Sequence, residues 1–218
     1  MEDLIGKFLQ KTLEEKNGKT IEEKFETIAK GLINNFYINC DNKDYYFAEI
    51  EFYYYDKVNF NEKWNRETYP RTDKEAGDLF FHYSGCDICF KSVINEEIND
   101  VKFGGILIRS LYDKVIDKYI TGPTVCANEI LNSCSKSRRM PDIKYKEQVY
   151  NCEVKSIERY GITQYENEEL CFYDSRLPNR CSNKFENIKW DFDKKNDGKN
   201  PKLTDYTRTY SRFNKSNK

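Results

Sequence analysis

Between residues 20 and 36 the apolar positions Ile21, Phe25, Ile28, Leu32 and Ile33 recur at the three- and four-residue spacing of one helical face. Thr20 followed three residues later by Glu23 is a capping-box pattern, so the spacing predicts a helix entered at Thr20. A weaker helical pattern covers residues 2–15, and Gly18 separates the two. The period then changes. FYINC at 36–40 and YYFAEIEFYYYD at 45–56 flank Asp41-Asn42-Lys43-Asp44, whose residues favour a tight turn, and predict a hairpin. Residues 57–76 are polar, contain Pro70, and read as a long connecting loop. DLFFHYSGCDICFKSV predicts a second hairpin turning near Ser84-Gly85, and GGILIRSLYD at 104–113 a buried strand led in by two glycines. Gly122-Pro123 then opens a helix through about Asn132, with proline at the first helical position, where its missing N–H costs little.

Beyond Lys136 the pattern weakens to two candidate strands, IERYGIT at 157–163 and ELCFYD at 169–174. Helices before and after a strand-rich middle predict one α+β domain, with a mostly antiparallel, curved sheet packed by the N-terminal and mid-chain helices. We place that domain at residues 1–191 and read 192–218 as a polar, flexible tail.

Composition narrows this picture. The 218 residues suffice for a sizeable core. The first residues carry acids from position 2 and form no apolar run of signal-peptide length, and no later stretch is long enough to span a bilayer, which predicts a soluble cytoplasmic or nuclear protein. The eight cysteines then read as reduced thiols. Cys86 and Cys89 form a lone CxxC in an apolar run where a strand points residues three apart to opposite faces, so buried structural thiols are expected there instead of a metal or redox site. Net charge is -1. It is uneven, however: residues 1–135 carry about -7 and residues 136–218 about +6. A local basic face and a merely solvated tail both fit that asymmetry. The 17 Tyr and 14 Phe favour an aromatic-rich sheet.

Three features carry candidate chemistry. Strict alternation in YYFAEIEFYYYD places Phe47, Glu49, Glu51 and Tyr53 on one face and Ala48, Ile50, Phe52 and Tyr54 on the other. Two carboxylates then share a face about 7 Å apart amid aromatics. Such surroundings tune a general acid or base, although the solvated face of an edge strand has the same pattern. Arg109 is a charge inside the apolar ILIRSLYD; if buried it needs a carboxylate, and Glu49 or Glu51 is the natural partner. His82, the only histidine, sits in the aromatic LFFHYSG, where a structural role is the simpler expectation. The chain has no GxGxxG, P-loop or HExxH, so nucleotide-cofactor and zinc-protease chemistry have no support.

Taken in order, AEIEFY at 48–53, RETYPRT at 66–72, GDLFFHYSG at 77–85, GGILIRSL at 104–111 and TGPTVCANEIL at 121–131 resemble successive blocks of the alkyladenine (3-methyladenine) DNA glycosylase family. The resemblance implies a monofunctional hydrolase that flips a damaged or modified purine nucleotide out of duplex DNA and cleaves its N-glycosidic bond with activated water. By that resemblance Glu51 is the general base, Arg109 lies near the catalytic water, and Tyr53, His82 and Tyr83 receive the base. It implies no metal or cofactor, a monomer, and no membrane partner. DNA-backbone contacts are expected from Arg66, Arg71, Arg138 and Arg139, with Lys144 beside them. Residues 54–81 hold no histidine where the family has a pocket histidine, and TGPTVCAN lacks the lysine usual after GP. Two other readings stand beside this one: a non-catalytic homologue that binds nucleic acid or a nucleobase-like ligand, and a protein-interaction domain using its aromatic surface.

Overall fold

A computed structural model describes residues 3–61, 74–95, 97–137, 139–147, 151–157 and 170–178. Helix α1 spans Leu4–Glu14, and α2 spans Ile21–Asn35. Both halves of the expected capping box are present: Glu23 N–H donates to Thr20 Oγ1 at 3.3 Å, and Thr20 N–H to Glu23 Oε2 at 2.7 Å. Strands β1 (Phe36–Cys40) and β2 (Lys43–Asp56) form the first hairpin, with Asp41 in the left-handed region that its short polar side chain tolerates. The chain continues through β3 (Phe60–Asn61), β4 (Leu79–His82), β5 (Gly85–Cys89), β6 (Val93–Asn95), β7 (Asp100–Asp113) and β8 (Lys118–Thr121). Helix α3 (Pro123–Ser137) follows, then β9 (Asp142–Tyr145), β10 (Val154–Ile157) and β11 (Cys171–Asp174).

All of these strands join one sheet, with a central path β10-β11-β2-β7-β5-β4 and antiparallel pairing throughout. The architecture is an α+β domain whose curved sheet is packed by helices. The two long strands, β2 and β7, pair along most of their length and form its spine. Along the other edge of β2 lie β1, β11 and β3 in turn; along the other edge of β7 lie β6, β5 and β8.

One sheet face and the helices enclose the core. Phe25 of α2 stacks on Phe52 with ring centroids 4.6 Å apart and meets Tyr54 edge-on at 5.7 Å. Burying an aromatic of this size contributes roughly 1.5–3 kcal/mol. Helix α3 adds Cys126, Ala127, Ile130 and Cys134. Tyr45 of β2 pins that helix: its hydroxyl lies 2.7 Å from both Glu129 Oε1 and Ser133 Oγ. Among the described residues no helix is long and apolar enough to cross a membrane.

Gly104 has a structural requirement of its own. It faces Tyr54 across the sheet, and a Cβ there would lie 2.2 Å from the Tyr53 carbonyl oxygen and 2.9 Å from Tyr54 Cα. Both are backbone atoms that no rotamer change can move. Gly104→Ala is therefore expected to force β2 and β7 apart and to cost about 2 kcal/mol or more. A urea-unfolding midpoint unchanged from wild type would contradict this close approach.

The alternation expected for β2 needs one correction. Phe47 lies in the core with Ile50, Phe52 and Tyr54, not beside Glu49 and Glu51. The cause is a double irregularity in the β2–β7 ladder: Phe47 faces Leu111, Glu49 faces Ser110 and Ile50 faces Ile108, so the register slips by one and slips back. Core positions in β7 consequently run Ile106, Ile108, Leu111, out of strict alternation. Bulges of this kind redirect side chains.

Other differences concern element ends. The strand expected from Gly104 begins at Asp100, and α3 runs to Ser137, not Asn132. Only Ile157 of the expected 157–163 strand is described, as the last residue of β10. Residues 62–73 of the expected loop and the expected tail at 192–218 lie outside the described residues.

Candidate functional site: a buried carboxylate–arginine cluster

Directly paired residues on neighbouring strands project to the same face of a sheet. Ile157, Cys171, Glu51, Leu107, Asp87 and Phe80 are paired in succession across β10, β11, β2, β7, β5 and β4, and so define one row on the face opposite the core. Period two adds Tyr53 to that face beside Glu51, Arg109 beside Leu107, and His82 beside Phe80. The slipped register brings Glu49 to the same side, and it sets both Arg109 and Ser110 toward that carboxylate.

The contacts are closely satisfied. Arg109 Nη1 donates to Glu51 Oε2, and Arg109 Nε lies 3.6 Å from Glu49 Oε1. Tyr53 donates its phenolic proton to Glu51 Oε1 at 2.5 Å. Ser110 Oγ donates to Glu49 Oε2 at 2.9 Å, and the Cys171 thiol to Glu49 Oε1 at 3.6 Å. Glu49 and Glu51 are 0% and 1% exposed and Arg109 is 7% exposed. Two carboxylates and one guanidinium thus share a buried region, where mutual attraction is strong because little water screens it. Burial pushes the Cys171 thiol well above its ordinary value, and the negative Glu51 beside it pushes the same way. Cys171 therefore stays a neutral donor.

A second group lies two strands away on the same face. His82 Nε2 is 3.3 Å from Asp87 Oδ2, and His82 Nδ1 is 2.8 Å from Ser84 Oγ. Phe80 and His82 rings stack at 5.6 Å. Tyr83, at the tip of the β4–β5 turn, is exposed.

Sequence reasoning expected Glu51, Tyr53, His82 and Arg109 together. The structure puts Glu51, Tyr53 and Arg109 in contact, and joins His82 to Asp87 on the neighbouring strand. In the cross-strand row Leu107 lies between Glu51 and Asp87. A cavity of about 630 Å³, lined by Tyr37, Lys74, Asp78, Met140, Asp142 and Tyr145 among others, includes none of these four residues. Of the expected DNA-contacting arginines, Arg66, Arg71 and Arg138 lie outside the described residues. Arg139 is exposed and pairs with Asp41 at the β1–β2 turn at 3.5 Å, while Lys144 donates to Asn39 of β1 at 2.9 Å. Lys43, beside that turn, is eight residues from Glu51 along β2, roughly 26 Å at the rise of a strand.

Ser110, Cys171, Asp87 and Ser84 join these groups without having been singled out in the sequence. Asp87 could have been found, because a charge inside the apolar GCDICF carries the same signal as Arg109 in ILIRSLYD. Both cysteines of the lone CxxC are buried free thiols. No family model, no curated protein and no solved structure matches this chain.

Proposed function

We propose that the chain is a DNA glycosylase-like hydrolase, in which Glu51 activates a water to displace a damaged or modified purine from its deoxyribose. The observation that carries this reading is the convergence of Glu51, Arg109 and Tyr53 on one sheet face, in the order of blocks that resembles the alkyladenine DNA glycosylases. Cleaving an N-glycosidic bond needs a carboxylate to deprotonate or orient water and to stabilise an oxocarbenium-like centre. An extruded base needs flat surfaces to lie against. Tyr53, His82 and the exposed Tyr83 are the residues for that task. The direct test is base release from duplex oligonucleotides carrying alkylated, deaminated or normal purines, with release from at least one modified base expected and release from none sinking the proposal.

A second reading is favoured by a specific observation: every carboxylate oxygen of Glu49 and Glu51 accepts a contact from within the protein, and Glu51 is almost wholly buried. On that reading the cluster is structural and the chain is a non-catalytic nucleic-acid or nucleobase-like ligand binder. DNA binding is common to the glycosylase and to a nucleic-acid binder, and with a net charge of -1 it must come from a local basic surface. Affinity for duplex DNA is therefore expected to fall about tenfold or more between 50 and 200 mM salt as counterions are released. Fluorescence anisotropy with a labelled duplex measures this; no binding at low salt would favour a protein-interaction domain.

A further inference from the structure

We propose that β9 pairs antiparallel with β9 of a second copy of this chain, joining two sheets across a two-fold axis; the dimer does not depend on the glycosylase reading. Strand β9 lies at the margin of the sheet: among the described residues it pairs with β1 alone. Asp142, Ile143, Lys144 and Tyr145 all border the cavity of about 630 Å³. Successive strand residues point to opposite faces, so a space bordered by four in a row runs along the strand's edge and not over one face. On that side the backbone donors and acceptors of β9 have no ladder partner among the described residues. Such an edge is the template on which a further strand is added.

The pairing with β1 fixes which face each side chain takes. Tyr145 is paired with Phe36 and meets its ring edge-on at 5.3 Å, and Ile143 is paired with the buried Ile38 and packs against the core. Asp142 and Lys144 therefore lie on the other face, where Lys144 Nζ donates to Asn39 Oδ1 at 2.9 Å. An ammonium group carries two further donors. Asp142 is exposed and makes no hydrogen bond or salt bridge among the described residues.

Self-complementarity selects both the occupant and the register. A two-fold axis perpendicular to the sheet keeps every residue on its own face, so the residue at the axis faces its own copy. With Asp142 or Lys144 at the axis, that residue opposes itself, and with Tyr145 there Lys144 opposes Lys146. With Ile143 at the axis, Asp142 faces the second copy's Lys144, Lys144 faces its Asp142, Ile143 meets Ile143, and Pro141 lies against Tyr145. Opposite charges directly across a ladder stabilise it, and like charges destabilise it. Pro141, which has no N–H to donate, limits the pairing to this short segment. Leu4, Met140 and Tyr145 are exposed apolar side chains on the border of the same cavity, beside the added strand. The dimer departs from the monomer that the glycosylase resemblance implies.

Sedimentation equilibrium of the full chain over about 1–200 µM reads the association, which mass action governs. Wild type is expected to form dimers. Asp142→Lys and Lys144→Asp each oppose like charges in the homodimer, and each is expected to weaken it at least about tenfold. Mixed in equal amounts, the two variants restore both opposite-charge pairs. The mixture is therefore expected to associate within about threefold of wild type, as is the double variant Asp142→Lys/Lys144→Asp. A loss of folding would not recover on mixing. Asp142 has no hydrogen bond or salt bridge to lose, so Asp142→Lys keeps the test decisive if Lys144→Asp fails to fold. A wild type that is monomeric throughout overturns the proposal, as do single variants that associate as tightly as wild type, or a mixture of folded variants that stays monomeric. A monomeric wild type that binds a synthetic peptide of residues 139–147 assigns the edge to an extended segment of another protein and overturns the dimer equally.

Discussion

Replacing Arg109 with methionine is expected to destabilise the protein by about 3–5 kcal/mol, a large part of a typical domain's stability, because it leaves two buried carboxylates without their cation. Glu49 and Glu51 face the same guanidinium and are 0% and 1% exposed, so neither can turn to solvent without opening the ladder between β2 and β7. The aliphatic stem of methionine fills much of the arginine's volume, which confines the change to charge and hydrogen bonding. Urea unfolding followed by far-UV circular dichroism measures the loss. Arg109→Met combined with Glu49→Gln and Glu51→Gln is expected to recover most of it, since the uncompensated charge, not the missing contact, sets the cost. A single variant within 1 kcal/mol of wild type would show that the cluster is not held together by the ion pair. Added salt is expected to change the wild-type value little, because ions screen buried pairs far less than exposed ones.

Local rules made much of the fold legible. The Thr20 capping box and the apolar stripe through Phe25 and Ile33 specify α2 without tertiary help, and the β1–β2 turn announces itself in Asp41-Asn42. What escaped depends on contacts between distant segments. Nothing local marks the register slip at Glu49, because it exists only in the pairing of β2 with β7, and Phe47 was accordingly placed on the wrong face. The last turn of α3 is polar in sequence, yet Cys134 is buried there and Ser133 meets Tyr45 across 88 residues of chain. Strands β6, β8, β9 and β10 have three or four residues each, too short for a period to stand out, and they exist by pairing with longer neighbours.

The candidate site divides in the same way. A lone charge in an apolar strand pointed to Arg109, and alternation pointed to Glu49 and Glu51. Cys171, one of the partners that satisfy the carboxylates, reaches Glu49 across 122 residues of chain, and a thiol on an apolar segment gives no sign that it donates to a glutamate. For His82 the aromatic segment alone predicts a structural role, and the resemblance a surface for the base. Its contacts with Asp87 and Ser84 depend on how β4 turns back on β5, which spacing alone does not show.

If Glu51 is the base, Glu51→Gln is expected to lower single-turnover base release by about a hundredfold or more. The substitution keeps the shape and one accepting oxygen, and it removes the group that takes a proton from water. The amide also changes the contacts with Arg109 and Tyr53, so the result has to be separated from a loss of structure. Binding of a duplex with an abasic-site analogue makes that separation, because it uses aromatic and phosphate contacts and is expected to stay within about threefold of wild type while chemistry falls. Glu49→Gln provides the comparison. Glu49 is held by Ser110, Cys171 and the Nε side of Arg109, one step further along the strand, and its expected effect on the chemical step is smaller. The order of the two variants decides more than the size of either effect. A wild type that releases bases, with Glu51→Gln equally fast, removes Glu51 from the chemistry and leaves the cluster as a structural support. An inactive Glu49→Gln beside an active Glu51→Gln moves the water to the other carboxylate, next to Ser110.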